Sequence, residues 1–235
     1  MKLSIIVPVY NEEKTVTQVL KSLENLTIPS VSKEVIVVDD GSTDATLSKI
    51  KVQKSKIKLI VHSKNKGKGA AVITGIKNAK GDYVIIQDAD LEYDPKYIGI
   101  LVEPVKKRKA QVVYGTRLNR LPNLSGEEKT LQFLLHYFGN RFLSLITSIL
   151  YGQWITDMET CYKLFPKKAL NGVKLNARGF EFEPEITSKL MKRGYKIKEV
   201  PIRAKPRGYD EGKKLHTVRD GSRALYYLLK YRFFD

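Results

Sequence analysis

The chain has 235 residues, of which 42% are hydrophobic, so it has enough apolar material for a globular core, which argues against disorder. Its 42 Lys or Arg outnumber 25 Asp or Glu, and the resulting charge of +17 predicts an anionic partner: nucleic acid, a phosphorylated substrate or an acidic membrane surface. The single cysteine, Cys161, excludes an intramolecular disulfide and favours a reducing, cytoplasmic setting.

The first 115 residues repeat one pattern, in which an apolar, β-branched run is followed by a turn and a polar helical stretch. This alternation is typical of an α/β fold with a mainly parallel central sheet flanked by helices. Function is expected just after the strands, because the loops at the carboxyl ends of parallel strands build the sites of such sheets. Strands are predicted at 3–9, 34–38, 58–62, 83–87 and 111–114, and helices after Asn11, after Asp44, after Gly67 and from Pro95.

Two adjacent acids, Asp39 and Asp40, follow the second predicted strand. A helix cap at this point would need only Ser42 or Asp44, so the pair exceeds what capping requires. Carboxylates in this position can accept hydrogen bonds from the base or the ribose of a nucleotide. The glycine-rich run at 64–69 contains Lys68 and offers backbone N–H and ammonium groups to a diphosphate, although it lacks the spacing of a P-loop.

A second acidic group, Asp88-Ala89-Asp90, follows the fourth predicted strand. Two carboxylates separated by one residue can project from a tight turn toward a hard divalent cation, and Glu92 could reach the same ion. A metal held there with open positions can bridge a diphosphate and neutralise the charge that develops as the diphosphate leaves. As a bare pattern Asp-x-Asp is most often a solvated turn, but its place after a buried strand favours a metal site.

The character of the sequence changes at 129–151, where a helical stretch is apolar around much of its circumference. It predicts either a pair of core helices packed on the sheet or a helix lying in the headgroup region of a membrane. A basic amphipathic helix is predicted at 220–232, either as a docking helix or as a contact with anionic lipid. The longest uncharged stretch, 142–156, is too short to span a bilayer.

Four motifs follow one another along the chain: Pro8-Val9-Tyr10-Asn11-Glu12, Asp39-Asp40-Gly41-Ser42-Thr43-Asp44, Asp88-Ala89-Asp90 and Thr156-Asp157-Met158-Glu159-Thr160. Together they resemble inverting family 2 glycosyltransferases of the GT-A fold, and within them the dolichyl-phosphate mannose synthase group. The resemblance covers nearly the whole chain and implies one GT-A domain over 1–235. Its half at 1–115 would bind a nucleotide-sugar, and its half at 116–235 would bind the acceptor and carry candidate membrane-interface helices and a basic tail.

The resemblance also implies roles for individual residues. Asp88 would sit near the ribose and diphosphate, and Asp90 with Glu92 would ligate Mg²⁺ or Mn²⁺. Basic side chains that match family positions facing an acceptor phosphate are Arg117, Arg207 and Lys213, and guanidinium groups suit a phosphate because they can bind it with two hydrogen bonds. The nucleoside would be held by Pro8, Tyr10, Glu12 and Asp40.

The acceptor decides whether the reaction needs a base. A polyprenyl phosphate is already an anionic nucleophile, so alignment and electrostatics would suffice. A hydroxyl acceptor needs a base, for which Asp157 is the first candidate and Glu159 the second, although Asp157 could instead cap a following helix. The leading hypothesis is transfer of mannose or glucose from a GDP- or UDP-sugar to a polyprenyl phosphate. The alternative within the family is a soluble enzyme that acts on a saccharide or protein hydroxyl.

Attachment to the membrane is a separate question. Many relatives that use lipid phosphates carry transmembrane helices after the catalytic domain, and none is predicted here. Residues 189–232 hold fourteen Lys or Arg against four acidic residues, so peripheral contact with an anionic membrane is expected, or anchoring by a separate membrane subunit. A nucleic-acid-binding protein is the rival from another class, but no helix-turn-helix, zinc or RNP-type motif supports it, and no nucleic-acid partner is expected.

Overall fold

The structure is a computed structural model that describes residues 1–53, 56–122, 130–205 and 217–234. Within these ranges, strands and helices alternate through the first half of the chain, as predicted. The strands are β1 (Lys2–Val9), β2 (Ser32–Asp39), β3 (Ile57–Val61), β4 (Tyr83–Ile86), β5 (Val112–Thr116), β6 (Lys163–Pro166) and β7 (Ile197–Pro201). The α-helices are α1 (Val16–Asn25), α2 (Thr46–Val52), α3 (Lys68–Asn78), α4 (Tyr97–Lys106), α5 (Leu131–Tyr151), α6 (Phe182–Lys192) and α7 (Thr217–Phe233), with a 3₁₀ helix at Lys167–Leu170.

The seven strands form one sheet in the order β3-β2-β1-β4-β6-β5-β7. Strands β1 to β4 pair in parallel, β5 pairs with β7 in parallel, and β6 is antiparallel to both β4 and β5. All five predicted strands occur, each with ends within two residues of the prediction. The predicted α/β fold with a mainly parallel sheet is therefore confirmed.

The centre of the sheet is buried on both faces, which explains the continuous apolar runs in the sequence. Residues 3–9 of β1 and 35–38 of β2 are all buried, and α3 packs against both strands. The order of strands reverses between β1 and β4, because β2 and β3 lie on one side of β1 and β4 lies on the other. Such a reversal leaves a crevice at the carboxyl ends of the strands, where open α/β sheets bind ligands.

Within the apolar stretch predicted at 129–151, the described residues Leu131–Tyr151 form the single helix α5, so the predicted pair of helices is wrong. The interpretation as a core helix holds for one face, on which Tyr137, Leu143 and Thr147 are buried. The opposite face carries six exposed apolar side chains at spacings of three or four residues, here named the α5 stripe: Leu131, Leu135, Phe138, Phe142, Leu145 and Ile149.

The predicted basic helix is present as α7, which packs against α5 and α6. Leu228 and Tyr231 are buried, while Tyr226 and Phe233 are exposed. No helix in the described ranges is both long enough and apolar enough to cross a membrane.

Candidate active site

A cavity of about 970 Å³ opens at the carboxyl ends of β1 and β4 and extends to the first half of α5. Of the predicted site residues that the structure describes, Asp39 and Asp157 do not line it. Arg207 and Lys213 lie outside the described residues, so their predicted contact with an acceptor phosphate stays a prediction. The structure brings together on the cavity wall the predicted residues Pro8, Tyr10, Glu12, Asp40, Lys68, Asp88, Asp90, Glu92 and Arg117, together with Glu159.

Asp40 fixes the glycine-rich loop that follows β3. Its carboxylate accepts hydrogen bonds from the backbone N–H groups of Lys66 (3.0 and 3.2 Å) and Gly67 (2.8 Å) and lies 2.6 Å from Nδ1 of His62. Gly67 has a φ of +98°, and a side chain there would collide with the carbonyl oxygen of Arg178. These backbone donors therefore bind Asp40, whereas the sequence predicted that they would approach a diphosphate.

Asp39 and Asp44 have structural roles in the same region. Asp39 is fully buried, and its Oδ2 accepts a hydrogen bond from the backbone of Ser42 at 3.2 Å. Asp44 accepts one from the backbone of Thr46 at 2.9 Å, at the start of α2. The N-cap position of α2 is Ala45, so neither Ser42 nor Asp44 is the cap residue, although Asp44 accepts the hydrogen bond from Thr46. Of the two adjacent acids, Asp40 reaches the cavity.

Lys68, the first residue of α3, carries its ammonium group to the acidic side of the cavity. Its Nζ donates to Oδ2 of Asp88 at 2.8 Å and lies 3.8 Å from Oε1 of Glu183 on α6. Burial works against a charged lysine, but the attraction of Asp88 and Glu183 raises the pKa of Lys68 well above its usual value. Lys68 is therefore positively charged and lies beside the predicted metal ligands.

The residues predicted to hold Mg²⁺ or Mn²⁺ present oxygen atoms only. Asp88, Asp90 and Glu92 all line the cavity, and Oδ1 of Asp90 accepts the backbone N–H of Glu92 at 3.0 Å. In the part of the chain that the structure describes, no three His, Cys, Asp or Glu side chains form a ready-made metal cage. Mg²⁺ is commonly held by one or two carboxylates, with water and substrate phosphates completing its shell, so this donor set fits such an ion.

Arg117, after β5, is held by Asp157. The backbone N–H of Arg117 donates to Asp157 Oδ2 at 2.9 Å, its Nε donates to the same oxygen at 2.7 Å, and its Nη2 donates to Oδ1 at 2.7 Å. The loop that carries Asp157 is fixed in turn by Glu199, whose carboxylate accepts the backbone N–H groups of Thr156 and Asp157. No helix follows Asp157, so the capping alternative is wrong, and this carboxylate orients the arginine.

Glu159 is the acidic residue of this loop that reaches the cavity. Burial raises the pKa of Glu159 to about 8, and the negative charge of Glu183 adds to the effect while Lys163 opposes it. Its Oε1 is buried and has no hydrogen-bond partner in the described part of the chain. A carboxyl group with these properties can exchange a proton near neutral pH, which suits a general base.

Sequence reasoning missed the buried pair of Lys163 and Glu183. Lys163 is fully buried, and its Nζ donates to Glu183 Oε2 and to the carbonyl oxygens of Met158 and Thr160. Glu183 is also nearly fully buried and lines the cavity. The structure shows that Glu183 lies in a helix that is buried along most of its length, and neither this burial nor β6 was predicted from the sequence.

The chain is similar to known sequences along most of its length. The sequence model of Glycosyl transferase family 2 matches residues 4–173. A dolichol-phosphate mannosyltransferase of Pyrococcus furiosus is 32% identical over 98% of this chain and 64% of that protein, so the chain spans less than two thirds of this relative. A UDP-N-acetylglucosamine–dolichyl-phosphate N-acetylglucosaminyltransferase of Methanococcus voltae is 31% identical over 85% of this chain and 84% of the relative.

Solved structures confirm the predicted GT-A-like fold. Glucosyl-3-phosphoglycerate synthase from Mycobacterium tuberculosis, in complex with Mn²⁺, uridine diphosphate and phosphoglyceric acid, superposes with a TM-score of 0.73 over 100% of this chain and 79% of that one, at 20% identity. The complex of the same enzyme with Mg²⁺ and uridine diphosphate gives a TM-score of 0.71 over 98% of this chain and 79% of that one, at 21% identity.

Proposed function

Because the chain belongs to glycosyl transferase family 2, we propose that it transfers mannose or glucose from a GDP- or UDP-sugar to a polyprenyl phosphate, with inversion at the anomeric carbon. The observation that carries this proposal is one cavity lined by two kinds of group: carboxylates with Lys68 after β1, β2 and β4, and Arg117 with the first half of α5. The first group suits a metal-bound nucleoside diphosphate, and the second suits an incoming phosphate attached to an apolar chain.

The donor would lie on the side formed by the first half of the chain. Pro8, Tyr10, Glu12 and Asp40 surround the space for the nucleoside in this proposal. Asp88, Asp90 and Glu92 would hold Mg²⁺ or Mn²⁺, which supplies neutralisation of the leaving diphosphate when it is bound. The relative solved with Mn²⁺ and uridine diphosphate supports this part of the proposal.

The acceptor would lie beside Arg117. Its guanidinium group is already oriented by Asp157, so its remaining N–H groups can bind a phosphate with little loss of side-chain freedom. In the transfer, an acceptor phosphate oxygen forms a bond to the anomeric carbon while the bond from that carbon to the diphosphate oxygen breaks, and the electron pair leaves with the nucleoside diphosphate. No proton moves in this step, so the buried position of Asp157 is compatible with it.

The lipid part of the acceptor is supported by the surface next to the cavity. Phe133, His136 and Tyr137 of α5 line the cavity, while the α5 stripe on the same helix is exposed. Exposed apolar rows of this kind mark contacts with membranes or proteins. We propose that the α5 stripe lies on an anionic membrane, assisted by Arg223 and Lys230 of α7 and by the overall charge of +17.

The alternative is a hydroxyl acceptor in solution, and one observation favours it. Glu159 lines the cavity with a raised pKa, and a hydroxyl acceptor would need such a group to take its proton. The two readings differ in the acceptor alone and share the donor site.

A test of the proposal measures the release of GDP or UDP in the presence of Mn²⁺ with GDP-mannose, UDP-glucose and UDP-N-acetylglucosamine as donors. Three acceptors are compared: a short-chain polyprenyl phosphate, the corresponding polyprenol and 3-phosphoglycerate. The proposal expects release above background with the polyprenyl phosphate alone. Release driven by 3-phosphoglycerate or by the polyprenol, and not by the lipid phosphate, would support the hydroxyl alternative.

A further inference from the structure

The ammonium group of Lys68 lies between two carboxylates that belong to different elements. It is hydrogen-bonded to Asp88 Oδ2 at 2.8 Å and stands 3.8 Å from Glu183 Oε1, beyond hydrogen-bond distance. Glu183 Oε1 is buried and accepts no hydrogen bond in the described part of the chain. A buried acceptor without a hydrogen-bond donor is costly, so this oxygen, already ion-paired with Lys68 at 3.8 Å, can accept a closer approach of the ammonium group.

We propose that Lys68 is a two-position lysine: it occupies the cation position at Asp88 when the donor site is empty, and moves to Glu183 when a divalent cation binds Asp88. The inference rests on the proposed donor site and adds Glu183 as a positioning residue that acts through Lys68. It also gives a role to Glu183, a carboxylate of the cavity wall to which the proposed transfer assigns none.

The backbone geometry limits the movement to the side chain. Gly69 at the start of α3 is packed so tightly against residues 177–179 that a side chain there would come within 2.8 Å of the carbonyl oxygens of Ala177 and Gly179. The same segment leads into α6, which carries Glu183. A shift of about 1 Å in the ammonium position would bring it within the usual hydrogen-bond distance of Glu183 Oε1.

Glu183 is suited to receive the lysine because its other oxygen is fixed. Glu183 Oε2 is paired with Lys163, which is fully buried and is also held by two backbone carbonyl oxygens. Glu183 therefore keeps its place when the charge of Lys68 approaches or leaves. Phe180, whose ring centroid is 5.9 Å from the ammonium nitrogen, provides a second favourable contact on this side.

Electrostatic repulsion favours the movement. An ammonium group and a divalent cation at one carboxylate repel each other, so an ion at Asp88 must either displace Lys68 or bind more weakly. A displaced lysine without Glu183 would be an unpaired charge in a mostly buried place. At Glu183 it stays close enough to the cavity to contact a diphosphate.

Direct Mn²⁺ binding, followed by the electron paramagnetic resonance signal of the free ion, tests the proposal without donor, acceptor or turnover. Lys68→Met should tighten Mn²⁺ binding three- to tenfold, because the competing charge is gone. Lys77→Met is the matched control, since Lys77 is an exposed lysine on the same helix, and its Kd should stay within twofold of the unmodified protein. Equal Kd values for the Lys68 and Lys77 variants, or no Mn²⁺ binding to either, would overturn the proposal.

Glu183→Gln tests the second position. Glu183→Gln should weaken Mn²⁺ binding threefold or more when Lys68 is present. It should have no effect on Mn²⁺ binding in the Lys68→Met background. An equal loss in both backgrounds would mean that Glu183 acts on the fold alone and would contradict the proposal. If Glu183→Gln does not fold, as judged by circular dichroism, the proposal is tested by the Mn²⁺ Kd values of Lys68→Met and Lys77→Met. Because no sugar is transferred in these measurements, a wrong acceptor assignment would leave their outcome unchanged.

Discussion

Asp157 accepts three hydrogen bonds from Arg117, one from its backbone and two from its guanidinium group. Asp157 is completely buried, whereas the side chain of Arg117 is 19% exposed and lines the cavity. Asp157 does not line the cavity, so its carboxylate is not placed beside an incoming acceptor. The relationship therefore favours a role in which Asp157 aims Arg117, although the sequence predicted Asp157 as the first candidate for a base.

Substitution of Arg117 tests this arrangement. Arg117→Lys keeps the charge but loses the planar pair of donors, so the KM for polyprenyl phosphate should rise about tenfold or more, an effect of roughly 1.4 kcal/mol. The Kd of the nucleotide-sugar, measured by calorimetry, should change less than twofold. Arg108→Lys, at an exposed position, is the control. A rise in donor Kd with an unchanged acceptor KM would show that Arg117 serves the donor.

Substitution of Asp157 separates positioning from base catalysis. Asp157→Asn should raise the acceptor KM as Arg117→Lys does and lower the free energy of unfolding by about 3–5 kcal/mol, because it breaks a buried ion pair. The measurements are steady-state kinetics and denaturant unfolding. A fall in kcat of a thousandfold with an unchanged KM would instead identify Asp157 as the base.

The metal assignment predicts the effect of losing Asp90. Asp90→Ala should lower Mn²⁺-dependent turnover at least a hundredfold, because the ion that neutralises the leaving diphosphate loses a ligand. Asp94→Ala is the matched control, since Asp94 lies in the same loop and forms an exposed pair with Lys96. Turnover by Asp90→Ala at the level of the control would refute the assignment.

The raised pKa of Glu159 predicts that the stability of the protein depends on pH. Its pKa is raised from 4.5 to about 8, so the folded state binds this proton more tightly than the unfolded chain. The stability that the protonated form contributes is fully present below pH 4.5 and is lost as the pH rises through about 8. Glu159→Gln keeps the neutral form, so its melting temperature should exceed that of the unmodified protein by about 2–6 °C at pH 8 and match it at pH 5.

The comparison needs a control because burial also raises the pKa values of Glu183 and Glu199. Both groups remain in Glu159→Gln, so the fall in stability between pH 5 and 8 should become smaller without vanishing. Glu24→Gln, on the exposed face of α1, should show the same fall in stability between pH 5 and 8 as the unmodified protein. If the stability of Glu159→Gln falls between pH 5 and 8 as much as that of the unmodified protein, Glu159 is ionised at neutral pH.

The α5 stripe predicts binding to vesicles. Replacement of Leu135, Phe138 and Phe142 by serine should reduce co-sedimentation with phosphatidylglycerol-containing vesicles at least tenfold, because exposed apolar area is lost from the proposed contact. The fold should be retained, since all three side chains are more than half exposed. Val52→Ser with Ile100→Ser, two exposed apolar residues elsewhere, is the control. Equal binding by both variants would place the membrane contact on another surface.

The sequence was sufficient to predict those parts of the fold and of the site that depend on where the strands end. Because parallel strands end at the same edge of a sheet, Asp40 and Asp88 could be expected to meet. Arg117 was predicted from the family resemblance, and all three residues line one cavity. Their predicted roles toward the nucleotide, the metal and the acceptor stay predictions. Asp39 shows the limit of this reasoning, since neighbouring residues on a strand point to opposite faces and a pair of acids does not reveal which one reaches the cavity.

The buried pair of Lys163 and Glu183 could not be predicted in the same way. β6 has four residues, begins with a lysine and ends with a proline, so its sequence does not read as a central strand. Its insertion between β4 and β5 is a long-range pairing that brings Lys163 close to α6. The charge of Lys163 is tolerated there because Glu183 and two backbone carbonyls surround it, which is a property of the assembled fold.

The most direct test of the account is transfer of labelled sugar from GDP-mannose or UDP-glucose to a polyprenyl phosphate in the presence of Mn²⁺. If the proposed function is correct, label enters the organic phase as a polyprenyl-phosphate sugar, chelation of the metal abolishes the transfer, and Asp90→Ala does not support it. Label that stays in the aqueous phase with every donor, from a protein that binds Mn²⁺ and nucleotide-sugar, would contradict the lipid-phosphate acceptor.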